Sequence, residues 1–331
     1  MTAPARAASR NPWLTAAAWK RLLRDKPLIP LTILLGLLIV ALELAAPGTV
    51  GAAWVGVTLR AAVPLAILAG CQTLAMLTGG IDLSVGTVAS MAAFVMATLV
   101  SGQGPIVAII AGFVAAGLAG LVNGIGIGIF KVHPLIMTLG MSLVVLGLMS
   151  VYQLAMVQEG IFIPDVVTWL STASFFEFLP ASLVVFVPLA ALIVIGLRRS
   201  GYGRLLFAVG DNAIAARLSG TRVWQVLLVL YVISAVLSGV AGLLTAGLSN
   251  TASVSLVEQS VLPSVAAAVI GGTSIMGGRG GFAGTIVGAL ILTVLTSLLT
   301  ALGLPEATRE VVFGAIIVIV AAAYTRVSGE A

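Results

Sequence analysis

Three stretches of this chain carry residues whose types and spacing could do chemistry. The first is LTGGIDLSVG, Leu77 to Gly86, which sets the carboxylate of Asp82 between the glycine pair Gly79-Gly80 and the hydroxyl of Ser84. Apolar sequence runs in from Ala61 and on to Val100, so the acid stands where hydrocarbon is expected. A charge at mid-membrane costs about 2.5–3.5 kcal/mol on insertion scales. If Gly79-Gly80 breaks a helix, Asp82 and Ser84 can cap the next one, where free amides and the positive end of the dipole meet the acid. A second reading makes Asp82 a polar group lining a translocation path. The two can coexist, because broken helices persist only where they line a cavity or are buried in protein.

The second stretch is AVIGGTSIMGGRGGFAG, Ala268 to Gly284. Gly272 to Gly277 has the G-x-x-x-x-G spacing of a phosphate loop, but Gly278-Arg279 stands where Lys-Ser/Thr is required. Gly278 to Ala283 fits G-x-G-x-x-A, yet it follows a membrane helix and has no acid near Thr300. ATP binding by this chain is therefore not expected. Close helix packing and a tight turn account for the glycines. Gly271, Gly272, Thr273 and Ser274 also echo the first stretch: a span, a glycine break, then a small-residue span returning. The echo suggests an internal repeat whose two breaks face a shared central path.

The third stretch, RRSGYGRLLFAVGDNAIAARLSGTR, runs from Arg198 to Arg222. Asp211 or Asn212 can cap a short helix whose alanine-rich body holds Ala215, Ala216, Arg217 and Leu218, with Ser219 and a Gly220 stop at its end. Ile214 and Leu218 are four apart and share a face. About eight residues are too few for an isolated helix, which needs roughly 12–15. The segment must pack on its own membrane domain or on a cytoplasmic partner.

Little else suggests chemistry. The single cysteine, Cys71, lies in an apolar segment and cannot form an intramolecular disulfide, and the lone His133 sits at a span boundary. No metal site is expected. The elements that must hold these stretches follow from composition. The chain has 331 residues, of which 60% are hydrophobic and only 8% charged, against about 25% charged in soluble domains. Crossing hydrocarbon takes roughly 20 apolar residues in a helix, and several segments qualify. Spans are expected at about 28–46, 59–78, 83–101, 105–129, 134–157, 181–197, 223–247, 259–272, 282–302 and 308–325, the eighth short and interrupted by glycines. The expected fold is an all-α polytopic transmembrane bundle of about ten spans with broken helices.

Of the 16 lysines and arginines, all but Arg60 and Arg309 then fall on the side of the N-terminus. The positive-inside rule makes that side cytoplasmic. Residues 1–27 form a basic cytoplasmic segment in which Trp13 and Trp19 flank Lys20, Arg21 and Arg24, as in an interfacial helix. Residues 28–325 form the membrane domain, with 198–222 as a cytoplasmic loop, and 326–331 form a cytoplasmic tail. The charges cluster between spans and form no basic face for nucleic acid. The largest outer segment, Gln158 to Pro180, has no lysine or arginine and is too short for a folded domain.

At these stretches the chain resembles the permeases of bacterial ATP-binding-cassette sugar importers of the ribose/xylose/galactose type, within the branched-chain-permease-like superfamily. TGGIDLSVG, the G-x-N-x-x-A-A-x-L-S-G pattern in VGDNAIAARLSG, AAVIGGTSIMGGRGGFAGTIVGALIL and KVHPLIMTLGMSLVVLG carry the likeness over most of Ala61 to Arg326. The resemblance implies a bacterial inner-membrane subunit that dimerises with a second copy or a related permease. It also implies a cytoplasmic ATPase holding the ATP and Mg, and a periplasmic sugar-binding protein. Gly210, Asn212, Ala215, Ala216, Leu218, Ser219 and Gly220 would form the helix that docks on the ATPase. Gly79, Gly80, Asp82, Leu83, Ser84 and Gly86 match the broken-helix signature. WVGVTLRAAVPLAILAGCQT lacks the asparagine-rich pattern common in the family, so the identity of the sugar does not carry over. The competing function is a proton-coupled secondary transporter using Asp82. With Glu43 near an outer end and few other acids at depth, such a relay would have little to run on.

Overall fold

The computed structural model describes residues 28–156 and 160–328. The expected interfacial helix of residues 1–27 lies outside them, as does the end of the tail. The described residues are predominantly helical. In order come α1 (Leu28–Ala45), α2 (Ala52–Leu77), α3 (Val85–Gln103), α4 (Pro105–Gly128), α5 (Pro134–Met156) and α6 (Asp165–Thr172). A two-stranded hairpin, β1 (Ser174–Phe175) with β2 (Leu179–Pro180), follows. Then come α7 (Leu183–Arg199), α8 (Gly201–Leu218), α9 (Val223–Ser249), α10 (Val261–Ile270), α11 (Phe282–Ala301) and α12 (Glu306–Ser328).

Among the described residues, seven helices are long and apolar enough to cross a membrane, or eight if α7 and α8, bent by 67°, are one broken span. The chain is a multi-pass helical membrane protein. The expected eighth span differs most from its observed counterpart. α10 has ten residues, about 15 Å of helix, which is half the hydrocarbon thickness. Gly271-Gly272 ends it, and the chain continues as a loop to Phe282. The cytoplasmic loop expected at 198–222 is also mostly helix: Ser200 starts α8 by accepting the amide of Gly203 at 2.9 Å.

Two helices organise the bundle. α9 packs on α2, α3 and α4, and α11 packs on α1, α2 and α10, so α2 joins both groups. The contact of α4 with α9 is built by glycines four apart. Gly120, Gly124 and Gly128 face Tyr231, Leu228 and Trp224, with no room for a Cβ. Without a hydrophobic drive inside lipid, such close backbone approach is what holds helices together. α1 instead turns apolar side chains outward, with Leu37 62% and Leu44 77% exposed. Glu43 near its end accepts the amides of Gly48 and Val50 at 2.7 and 2.9 Å, which fixes the turn into α2.

Candidate functional site

Both expected helix breaks occur, and they use the same device. At the end of α2, Gly79 (φ +77°) donates its amide to the Met76 carbonyl and Gly80 donates to Ala75. At the end of α10, Gly272 (φ +89°) donates to Val269 and Thr273 donates to Ala268. This paired closure satisfies the last carbonyls and needs a left-handed residue at one position, which glycine adopts without strain. The register of the repeat differs by one residue. Gly79 is the first glycine of its pair and Gly272 the second.

Adjacent residues of α2 serve the two breaks. The side-chain amide of Gln72 clamps the backbone of Asp82, donating to its carbonyl at 2.8 Å and accepting its N–H at 3.2 Å. Thr73 shares a hydrogen bond of 2.7 Å with Thr285 of α11, which lies 3.5 Å from the hydroxyl of Thr273. The Leu83 amide donates to Thr138 of α5 at 3.0 Å. The break segment, which has no helical partners of its own, is thus paired by side chains from neighbouring helices, as buried backbone requires.

Asp82 is 2% exposed. One carboxylate oxygen accepts the Ser84 amide at 3.0 Å and its hydroxyl at 2.6 Å, and the other accepts the Ser234 hydroxyl of α9 at 3.1 Å. Ser84 accepts from Asn123 of α4 at 2.9 Å. Asp82 therefore turns the chain into α3 and ties that turn to α9. The Ser84 side chain, expected as a cap, makes no capping bond to α3. Ser84, Thr273 and Ser274 are buried as well. Gly80 packs on Pro134 and Tyr231, and Gly86 packs on Val261 and Val257.

The third stretch meets the other two at one end of the bundle. Gly278 donates its amide to the Leu77 carbonyl at 3.0 Å. Gly210 lies directly on that same carbonyl and beside Gly278. A Cβ on Gly277 would meet the Gly210 carbonyl at 2.7 Å and the Gly79 amide at 3.1 Å, and one on Gly278 would meet Asp211 Cα at 3.2 Å. Gly271 similarly abuts Gly284 and Thr285. Backbone lies against backbone at this junction of α2, α8 and the loop after α10.

From the junction a short helix leaves. Asn212 breaks α8 with extended angles (φ −157°, ψ 100°), and its side-chain oxygen accepts the amides of Ile214 and Ala215 at 3.0 and 2.9 Å. Of the two candidates, Asn212 is the cap. At the other end Gly220 (φ +87°) donates to Arg217 and Thr221 donates to Ala216, closing the helix as at the two breaks. Ala216 is buried, whereas Ile214 and Leu218 are 72% and 84% exposed, and Ala215, Arg217 and Ser219 are exposed too. The apolar face points away from the chain. Beneath the helix lies a groove of about 960 Å³ lined by Lys131, His133, Arg217 and Arg222, with no acidic side chain among the described residues.

Sequence reasoning passed over Gln72, Thr73, Asn123, Thr138, Ser234 and Thr285. The signal available for them was a lone polar residue in an apolar helix, which in a membrane usually has a partner.

The long apolar helices, the two glycine breaks and the capped helix off one end are those of a multi-pass helical membrane protein. Residues 55–321 match the family described as the branched-chain amino acid transport system / permease component. The chain belongs to that family. It is 33% identical over 266 residues to the fructose import permease protein FrcC of Rhizobium meliloti, covering 77% of this chain and 73% of the relative. It is 33% identical over 262 residues to the ribose import permease protein RbsC of Bacillus subtilis, covering 76% and 79%. The galactose/methyl galactoside import permease protein MglC of Haemophilus influenzae is 32% identical over 266 residues, covering 75% and 79%. No solved structure gives a significant match.

Proposed function

We propose that this chain forms the membrane path of an ATP-binding-cassette importer for a monosaccharide or related small polar solute, driven by a separate ATPase that docks on the helix after Asn212. The observation that carries this reading is the outward apolar face of Ile214 and Leu218, on a helix seated through Gly210 against the end of α2 and the Gly277-Gly278 loop that follows the second break. A helix of six residues between Asn212 and Ser219 that exposes two large apolar side chains calls for a partner. The seating gives that partner a mechanical route to Gly79-Gly80 and Gly271-Gly272. The relatives named for fructose, ribose and galactose import support a sugar as the cargo.

The distribution of lysine and arginine supports a bacterial inner-membrane location with cytoplasmic termini, residues 1–27 and 326–331 inside, and 198–222 as the cytoplasmic coupling segment. The ATPase then holds the ATP and Mg. A periplasmic sugar-binding protein meets the outer face, where Trp169, Phe175 and Phe176 are exposed, and a second permease completes the path.

Proteoliposomes test the reading. With the ATPase inside and the binding protein outside, labelled D-ribose, D-fructose or D-galactose should accumulate only when ATP is supplied. Accumulation by this chain alone, driven by a pH gradient, would favour proton coupling through Asp82.

A further inference from the structure

We propose that the groove between the N-terminal half of α2, the start of α10, the C-terminal half of α11 and Phe313 of α12 binds a neutral polyhydroxylated solute, a sugar or polyol, and is the first contact of cargo with the membrane domain. The inference deepens the import reading and rests on it. α11 carries Thr293, Thr296, Ser297 and Thr300 at i, i+3, i+4 and i+7, so four hydroxyls share one face. The first three, with Thr58 of α2 and Ser260, line a cavity of about 310 Å³, within the range of small-molecule pockets.

The hydroxyls are poised to accept. Thr293, Thr296 and Ser297 donate to the carbonyls of Ala289, Leu292 and Thr293 at 2.9, 2.9 and 3.2 Å, which leaves their lone pairs free for an incoming O–H. Thr58 differs. It is 6% exposed, lines the groove, and its hydroxyl has no partner among the described residues. A buried orphan hydroxyl is costly unless something pairs with it. Trp54 adds an aromatic wall for the C–H face of a sugar ring. Among the described residues no charged side chain lines the groove, which selects against ionic solutes.

Its position suits delivery. Thr58 lies 19 residues before Leu77 on α2, about 28 Å along the helix, so the groove opens at the end opposite the glycine junction. A receptor docked on the outer face would release its ligand there.

Because Cys71 is the sole cysteine and is buried, a second cysteine can report on the groove in the assembled transporter. Thr296→Cys should react with a charged, hydrophilic methanethiosulfonate. The imported sugar, tested among D-ribose, D-fructose and D-galactose, should slow that reaction. Leu37→Cys on the outward face of α1 should not react. Thr58→Val should raise the KM for uptake about 5- to 10-fold, the factor for one lost hydrogen bond, with the maximal rate nearly unchanged and Thr58→Ser restoring it. An inert Thr296→Cys, labelling indifferent to the imported sugar, or a disulfide between two copies at this position would overturn the site. The last outcome would make the groove a subunit interface. Intact ATP-driven uptake with an unchanged KM would overturn the groove alone. Loss of ATP dependence would overturn the import reading and what rests on it.

Discussion

At the scale of single residues, Asp82 shows how a membrane protein keeps a buried acid satisfied. Its two oxygens collect three donors, and its own peptide groups are held by Gln72. An amide oxygen can accept both Ser84 donors as Oδ1 does, and the amide NH2 can donate to the Ser234 hydroxyl once that hydroxyl turns. We expect Asp82→Asn to retain most transport and thermal stability in detergent. Asp82→Leu removes the acceptors and leaves buried donors on Ser84 and Ser234 unpaired, at about 1–3 kcal/mol each. It should melt well below the wild-type chain or fail to accumulate. If the asparagine variant assembles normally yet transports nothing, the charge is what transport uses. Gly210 makes a different kind of prediction. Gly210→Val would push a side chain onto the Leu77 carbonyl and Gly278. The expected result is normal membrane insertion with ATP hydrolysis uncoupled from uptake, measured as both rates in the same vesicles. Tight coupling in that variant would remove the junction from the mechanism.

The capped helix after Asn212 is the element on which the partner reading turns. Both of its ends are closed by local bonds, and Ala216 alone among its central residues is buried. Asn212→Ala with Gly220→Val removes an N-cap contributing about 0.5–2 kcal/mol and puts a branched residue in the left-handed region. Membrane levels should stay normal, because insertion depends on apolar spans and basic loops that are unchanged. Co-purification with the ATPase should be lost. A milder, salt-sensitive loss is expected of Arg217→Glu, since an exposed ion pair contributes only about 0–1 kcal/mol. Should the double variant keep its ATPase while the membrane domain falls apart, the helix serves internal packing instead.

For the whole molecule, the junction at one end and the hydroxyl groove at the other give the bundle two differentiated faces, with α2 running between them. In the proposed orientation, which rests on the distribution of basic residues, the junction faces the cytoplasm. Cysteines introduced at Arg222 and Glu177 test that assignment, both positions being exposed. In intact cells a membrane-impermeant maleimide should label Glu177→Cys, and Arg222→Cys only after the membrane is opened. The reverse pattern would invert the orientation and place the exposed Ile214 and Leu218 outside, away from any ATPase.

Composition and hydrophobic run length were enough to read a polytopic helical bundle, because a bilayer leaves a chain few ways to satisfy its backbone. The glycine breaks and the ends of the short helix were legible for a local reason. A left-handed position after a helix selects glycine, and an N-cap selects Asn or Asp, whatever lies around them. Choosing between Asp211 and Asn212 was a matter of one residue's dihedral angles, which neighbours set. Tertiary structure alone decided that α10 is a half-length helix and that the loop before Asn212 is helical. It also decided that Gln72 and Thr73, adjacent in sequence, serve different breaks. Those outcomes depend on which helices lie beside α2, and hydropathy carries no information about which apolar face meets which. The meeting of Gly79, Gly210 and Gly278 has the same origin. Each glycine is locally a turn or helix residue, and only packing brings residues so far apart in sequence backbone to backbone, at a distance no side chain would allow.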